Sequence, residues 1–182
     1  MLSVVIPAYN EEKRISKTLT RISHYLARQP YPSEIIVVDD GSADNTLSTL
    51  ADFPSVRIIR LLPNRGKGAA IQQGVLESRG EIILFSDADL STSIEEVQKC
   101  LEALHQGVDI AIGSRALKAS DIVVRQPWYR DTMGKIFNLF VLTVVMRGIR
   151  DTQCGFKCFK ADVARTLFRA AKISRFSFDV EI

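Results

Sequence analysis

Cysteine and histidine are scarce in this 182-residue chain, at three and two residues. The thiols of Cys100, Cys154 and Cys158 have no metal-ligand company, since His24 and His105 are remote in sequence and C-x₃-C is not a common zinc spacing. An odd count without that company reads as reduced, cytosolic thiols. Long apolar runs are missing: the longest, Ile136 to Met146, is interrupted by Asn138 and Thr143 and is too short to cross a bilayer. The chain opens directly on Leu2-Ser3-Val4-Val5-Ile6-Pro7 with no signal sequence, so an activity facing the cytoplasm is expected. Basic residues interleaved with aromatics are lacking, which argues against nucleic acid. Glycine is absent from the first strand-to-helix turn, Pro7-Ala8-Tyr9-Asn10-Glu11-Glu12, where a dinucleotide fold would need it. Gly66-Lys67-Gly68 does not complete G-x-G-x-x-G, because Ile71 holds the final position. It fails the P-loop pattern as well, with Leu61 and Gly68 where Gly and Ser or Thr belong.

What is present is a core-forming composition, 46% hydrophobic, which suits a single domain over residues 1–182. Strand-like runs alternate with helix-like ones: Leu2–Pro7, a helix over about 11–28, Glu34–Asp39, a helix over about 44–52, Val56–Leu61, and a helix over about 67–79 stopped by Gly80. Glu81–Ser86 follows, then a helix started by a Ser93/Glu96 capping box and running to about Gln106, then Asp109–Gly113. This order predicts an α/β fold with a mostly parallel sheet and right-handed crossovers. Beyond Arg115 the alternation breaks into a polar loop over 116–124, a helix over about 128–146, irregular structure plus a strand over 151–160, and a helix over about 161–171. The final Phe178-Asp179-Val180-Glu181-Ile182 alternates like a strand cut short, and more protein is expected to follow.

The chemistry is concentrated at Asp87-Ala88-Asp89, two carboxylates ending the apolar run Glu81-Ile82-Ile83-Leu84-Phe85-Ser86. Open α/β sheets bind ligands at the carboxyl ends of their strands, and hard oxygen ligands there suit Mg²⁺ or Mn²⁺ bridging to substrate phosphates. The bland alternative is a solvated loop with two capping carboxylates. Two more strand ends carry polar groups, Tyr9/Glu11 and Asp39/Asp40, the latter followed by Ser42 as a candidate helix cap. Tyr9 could pack against a nucleotide base whose N–H groups Glu11 and Asp40 accept, or simply cover the sheet end. Charge divides along the chain: residues 1–114 hold 11 Lys+Arg against 15 Asp+Glu, and residues 115–182 hold 13 against 6. The acidic half suits a metal and nucleotide site, the basic half an anionic acceptor or an anionic membrane surface, and solvated helix faces account for part of both.

Motifs in order give a family resemblance: P-A-Y-N-E-E at 7–12, V-D-D-G-S at 38–42, N-R-G-K-G at 64–68, S-D-A-D-L at 86–90, G-S-R at 113–115 and D-T-Q-C-G-F-K at 151–157. In these the chain resembles the family 2 glycosyltransferases of GT-A fold, and among them the dolichyl-phosphate β-glucosyltransferase-like enzymes that load sugar onto a polyprenyl phosphate. The resemblance implies a nucleotide-sugar site at Pro7, Ala8, Tyr9, Glu11, Asp39, Asp40, Lys67, Asp87 and Ala88, with Asp87 and Asp89 holding Mg²⁺ or Mn²⁺. It implies that Arg115, Arg130 and Lys157 receive the acceptor phosphate, and that Asp89, Asp151, Arg115 and Arg130 serve the chemistry. Asp151 could be a base, an orienting residue or a helix cap. Ser91 stands where mannosyl relatives have Gln, and Gly134 where some relatives have a serine of the clamp.

The implied reaction is an inverting transfer of glucose from UDP-glucose to a polyprenyl or dolichyl phosphate at the cytoplasmic face of a membrane. The segment Ile136–Met146 fits an interfacial helix, a buried core helix or a homodimer helix equally well. Three other readings stay open: a polysaccharide or other alcohol acceptor, a nucleotide-sugar-binding module without turnover, and an aspartate-nucleophile phosphatase suggested by Asp87-Ala88-Asp89-Leu90-Ser91.

Overall fold

The computed structural model describes residues 1–113, 154–175 and 178–182. The strands β1 (Leu2–Ala8), β2 (Ser33–Asp39), β3 (Val56–Arg60) and β4 (Ile82–Ser86) are the apolar runs anticipated above. β1 is buried along nearly its whole length, as a central parallel strand covered on both faces must be. β3 alternates between sheltered and exposed positions, the pattern of an edge strand.

Helices α1 (Ile15–Leu26), α2 (Thr46–Leu50), α3 (Lys67–Glu77) and α4 (Val97–His105) link these strands and β5 (Ile110–Ile112). α1 buries Ile15, Thr18, Leu19, Ile22 and Leu26, an i, i+3/i+4 stripe that turns one face to the sheet. The chain then returns as β6 (Phe156–Lys160), α5 (Ala161–Ala170) and a short α6 (Phe178–Glu181). Two apolar clusters fill the two faces of the sheet. One packs Leu19 and Leu101 of α1 and α4 against Val4, Ile6 and Leu84, and the other packs Ile71 and Phe168 of α3 and α5 against Val5, Ile36 and Phe85.

The sheet order is β3-β2-β1-β4-β6-β5. β1 pairs in parallel with both β2 and β4, so the chain winds outward on one side through α1 and on the other after α3. That reversal makes the carboxyl ends of β1 and β4 a topological switch point, the place where such sheets open a crevice.

Several local expectations need correction. β5 does not extend the parallel set, because β6 inserts antiparallel between it and β4. Ser93 and Glu96 form no capping box: a 3₁₀ turn, Ile94–Glu96, precedes α4, and the Ser93 hydroxyl bonds Glu95 instead. α3 ends on an extended Ser78 rather than on a left-handed Gly80. Ser42 accepts the Asn10 N–H and does not cap α2. Residues 178–181 are helical, since Phe178 and Asp179 are both buried and neighbours on a strand would face opposite ways.

Candidate active site

Four segments meet at the switch point around a cavity of about 360 Å³. Pro7, Ala8, Tyr9 and Glu11 come from the end of β1, Asp40 from the end of β2, Lys67 from the start of α3, and Asp87, Ala88 and Asp89 from the end of β4. The convergence expected from the strand ends is therefore present. Tyr9 is half exposed, its ring free to cover a flat ligand. Glu11 is held by Arg14 through two contacts, at 2.7 and 2.9 Å.

Asp40 is buried, and its two carboxylate oxygens accept the Arg65 and Gly66 N–H groups at 2.7 and 2.8 Å. Its backbone carbonyl also accepts the Asn64 side-chain amide at 2.9 Å. Asp40 thus fixes the loop that delivers Lys67, a function its expected base-gripping role did not include. Asp39 does not line the cavity. Its fully buried carboxylate accepts the Ser42 N–H and lies 3.8 Å from Arg60, so it stabilises the turn after β2.

The acidic motif is anchored from three directions. Asp87 donates its N–H to the Gly155 carbonyl at 2.9 Å, the Ala88 carbonyl accepts the Thr18 hydroxyl at 2.6 Å, and Leu90 N–H returns to the Asp87 carbonyl at 3.2 Å. Closing that turn forces Leu90 to a φ of 48°, a left-handed conformation that a branched residue adopts only when its surroundings demand it. Asp87 Oδ1 lies 2.6 Å from Lys67 Nζ, an ammonium directly on the carboxylate. Asp89 Oδ1 accepts both the Ser91 hydroxyl at 2.6 Å and the Ser91 N–H at 2.9 Å, which orients the carboxylate from below. Ser91 thus positions Asp89.

Hard carboxylate oxygens at a rim suit Mg²⁺ or Mn²⁺. Among the described residues no group of three or more His, Cys, Asp or Glu could hold a metal. A pair of carboxylates with the rest of the coordination shell supplied by substrate phosphates is a usual Mg²⁺ arrangement, so the donor set fits.

The Gly155 backbone packs directly against the Asp87 side chain. A Cβ there would overlap the Asp87 carboxylate. Gly155→Ala is expected to cost about 1–3 kcal/mol of local strain, read as a lower Tm in thermal melts. An unchanged Tm would show that the carboxylate has room to move.

Lys157 is not available to an acceptor. It is buried against Asp179 at 2.5 Å, with its ammonium 5.4 and 5.8 Å from the Phe85 and Phe178 ring centroids, because its position on β6 faces the side of the sheet covered by α3, α5 and α6. Arg115, Arg130, Asp151, Gly134 and the Ile136–Met146 segment lie outside the described residues. The three cysteines are buried, and burial pushes the Cys100 thiol up to about 11 and raises Cys158 further, which leaves those two unreactive. Two features went unassigned in the sequence. Asn64 and Gly66 were legible within N-R-G-K-G, but Arg175, which also lines the cavity, has no local signal.

Residues 3–168 match the family described as Glycosyl transferase family 2. The whole chain is 38% identical over 198 residues to a dolichyl-phosphate beta-glucosyltransferase of Homo sapiens, covering 61% of that protein. It is 37% identical over 204 residues to the one of Saccharomyces cerevisiae, again covering 61%. The chain thus spans about three fifths of the length of these curated relatives. Among solved structures, glucosyl-3-phosphoglycerate synthase from Mycobacterium tuberculosis in complex with Mn²⁺, UDP and glucosyl-3-phosphoglycerate superposes with a TM-score of 0.67 at 21% identity. That match covers 99% of this chain and 62% of the other. Strand ends converging at a switch point, a paired-carboxylate turn and 38% identity along the whole of this chain agree, and the chain belongs to glycosyl transferase family 2, built on the GT-A fold.

Proposed function

We propose that this chain carries the donor site of an inverting glycosyltransferase that moves glucose from UDP-glucose to dolichyl or another polyprenyl phosphate. The observation that carries the reading is the meeting of Tyr9, Asp40, Lys67, Asp87 and Asp89 around one cavity at the sheet's switch point. The names of the full-length relatives support the sugar and the acceptor, and the Mn²⁺ and UDP in a structural neighbour support the nucleotide and the metal.

In this reading Tyr9 and Pro7 cover the base, and Asp40 holds the Arg65–Gly66 turn so that Lys67 reaches the diphosphate. Asp87 and Asp89 would hold Mg²⁺ or Mn²⁺, which supplies positive charge to the leaving diphosphate. A phosphate monoester acceptor has a second pKa near 6, so it arrives mostly dianionic at neutral pH and needs no strong base. Arg115 and Arg130 are proposed to clamp it, and Asp151 to orient them. In-line attack then inverts the anomeric carbon.

A polyprenyl chain requires the site to work at a membrane surface. No described helix is long and apolar enough to cross a membrane, so contact from this part of the chain would be peripheral. The cytoplasmic side of the membrane is the proposed location, and Ile136–Met146 is the proposed contact or dimer segment.

Thermal melts with UDP, GDP and their glucose and mannose derivatives, with and without Mn²⁺, test the donor site. UDP with Mn²⁺ at about 100 times its Kd should add about 2.7 kcal/mol, or a Tm rise of roughly 5–10 °C. Glucose transfer to dolichyl phosphate by the full-length protein completes the test. A chain that ignores every one of these nucleotides whatever the metal has no donor site here.

A further inference from the structure

Residues 171–175 form a strap across the first turn of α3. The Ser174 carbonyl accepts the Ala69 N–H at 3.0 Å, and the two backbones are so close that only glycine fits between them. A Cβ on Gly66 would meet the Ser174 oxygen at 2.6 Å, and one on Gly68 would meet the Ile173 oxygen at 2.7 Å. The far end is tied by Glu181, whose carboxylate accepts the Lys172 and Ile173 N–H groups at 2.8 and 2.7 Å. Phe178 is buried with its ring 5.8 Å from that of Phe85. Held this way, the strap becomes a further wall of the cavity and presents Arg175 to it.

The charges around the cavity are otherwise committed. Glu11 pairs with Arg14, Asp40 accepts two backbone N–H groups, and Lys67 sits on Asp87. Among the described residues, Arg175 is the lining cation whose side chain makes no hydrogen bond or ion pair. A guanidinium offers a planar fork that matches two phosphate oxygens at once, so an uncommitted one on a rigid strap is suited to a phosphate. We propose that Arg175 binds the diphosphate of the nucleotide donor, and that the strap exists to set its position. This rests on the donor-site reading above and extends it to a residue far along the chain from the acidic motif. The turn under the strap delivers Lys67 to the Asp87 side of the cavity, which is why the donor's diphosphate, rather than the acceptor's phosphate, is the group within its reach.

The test is titration calorimetry in Mn²⁺ with UDP and with uridine, on the unaltered chain, Arg175→Gln and Arg175→Lys, together with the KM for dolichyl phosphate of the full-length protein. Arg175→Gln should bind UDP about tenfold or more weakly, Arg175→Lys should retain part of the affinity, and uridine binding should not change. Equal UDP affinity in Arg175→Gln and the unaltered chain overturns this inference and leaves the donor site standing. A defect confined to the KM for dolichyl phosphate overturns it in favour of an acceptor contact. Failure of the unaltered chain to bind UDP would remove the donor-site reading and this inference together.

Discussion

Asp89→Asn is expected to lower kcat by about 10²–10³-fold while leaving the fold intact. The magnitude is that of removing one preorganised charge-stabilising contact from a site where negative charge develops. One unit-charge pair at about 4 Å and an effective dielectric of about 20 is worth roughly 4 kcal/mol before desolvation, enough for a loss of that size. Asp89 is the cleaner of the two acidic positions to alter. It is exposed, and asparagine keeps an oxygen to accept the Ser91 N–H. Asp87 also carries Lys67 and packs on Gly155, so changing it would mix chemistry with structure. Steady-state transfer should show the fall in kcat, melting should show Tm unchanged within about 1 °C, and UDP binding in EDTA should be unaffected. Retention of full kcat would remove the metal-site assignment.

Lys157→Met carries the largest expected loss of stability, about 3–5 kcal/mol at neutral pH, because it strands a buried carboxylate. Asp179 is raised above the ordinary carboxylate range by burial, against the pull of Lys157 and Lys67. Removing Lys157 deletes the first of those two opposing charges and raises the group further. A carboxyl whose folded pKa lies above its unfolded value binds its proton more tightly in the fold, so stability falls as pH rises from the unfolded pKa through the folded one. The deficit of Lys157→Met should therefore be greatest near pH 7.5 and shrink toward pH 4–5, as urea titrations at the two ends would show. Adding Asp179→Asn should recover most of the loss at pH 7.5, since the stranded charge is gone. A deficit independent of pH would mean that the ammonium's packing between Phe85 and Phe178, not its charge, is what the fold depends on.

Much of this was legible because the informative signals were local. β1, β2 and β4 are apolar runs ended by polar turns, and the acidic motif stands at the end of one of them, so periodicity and turn chemistry placed both the strands and the cavity. The insertion of β6 was not legible, since Phe156-Lys157-Cys158-Phe159-Lys160 looks the same whichever way it runs, and direction is decided by its pairing with β4. The acceptor role implied for Lys157 came from motif resemblance, which carries no information on burial, and its burial is made tolerable by the aspartate on α6. The terminal segment was read at period two, yet four residues cannot distinguish that period from one helical turn. Arg175 reaches the cavity through the strap, a tertiary arrangement with no counterpart in residue spacing.

The reversed strand in mid-sheet bears on how the molecule comes together during synthesis. β4 carries the acidic turn on its end, but one of its two hydrogen-bonding flanks is filled by a segment made much later. Until Phe156–Lys160 has left the ribosome, that flank is an open, apolar template of the kind that recruits other chains. Gly155, which braces Asp87, and the strap over α3 arrive in the same late stretch. A nascent chain can thus assemble the layers around β1 and β2 early, but it completes the wall behind the acidic turn only when the stretch from Cys154 onward docks, a long-range closure expected to be the slow step of folding.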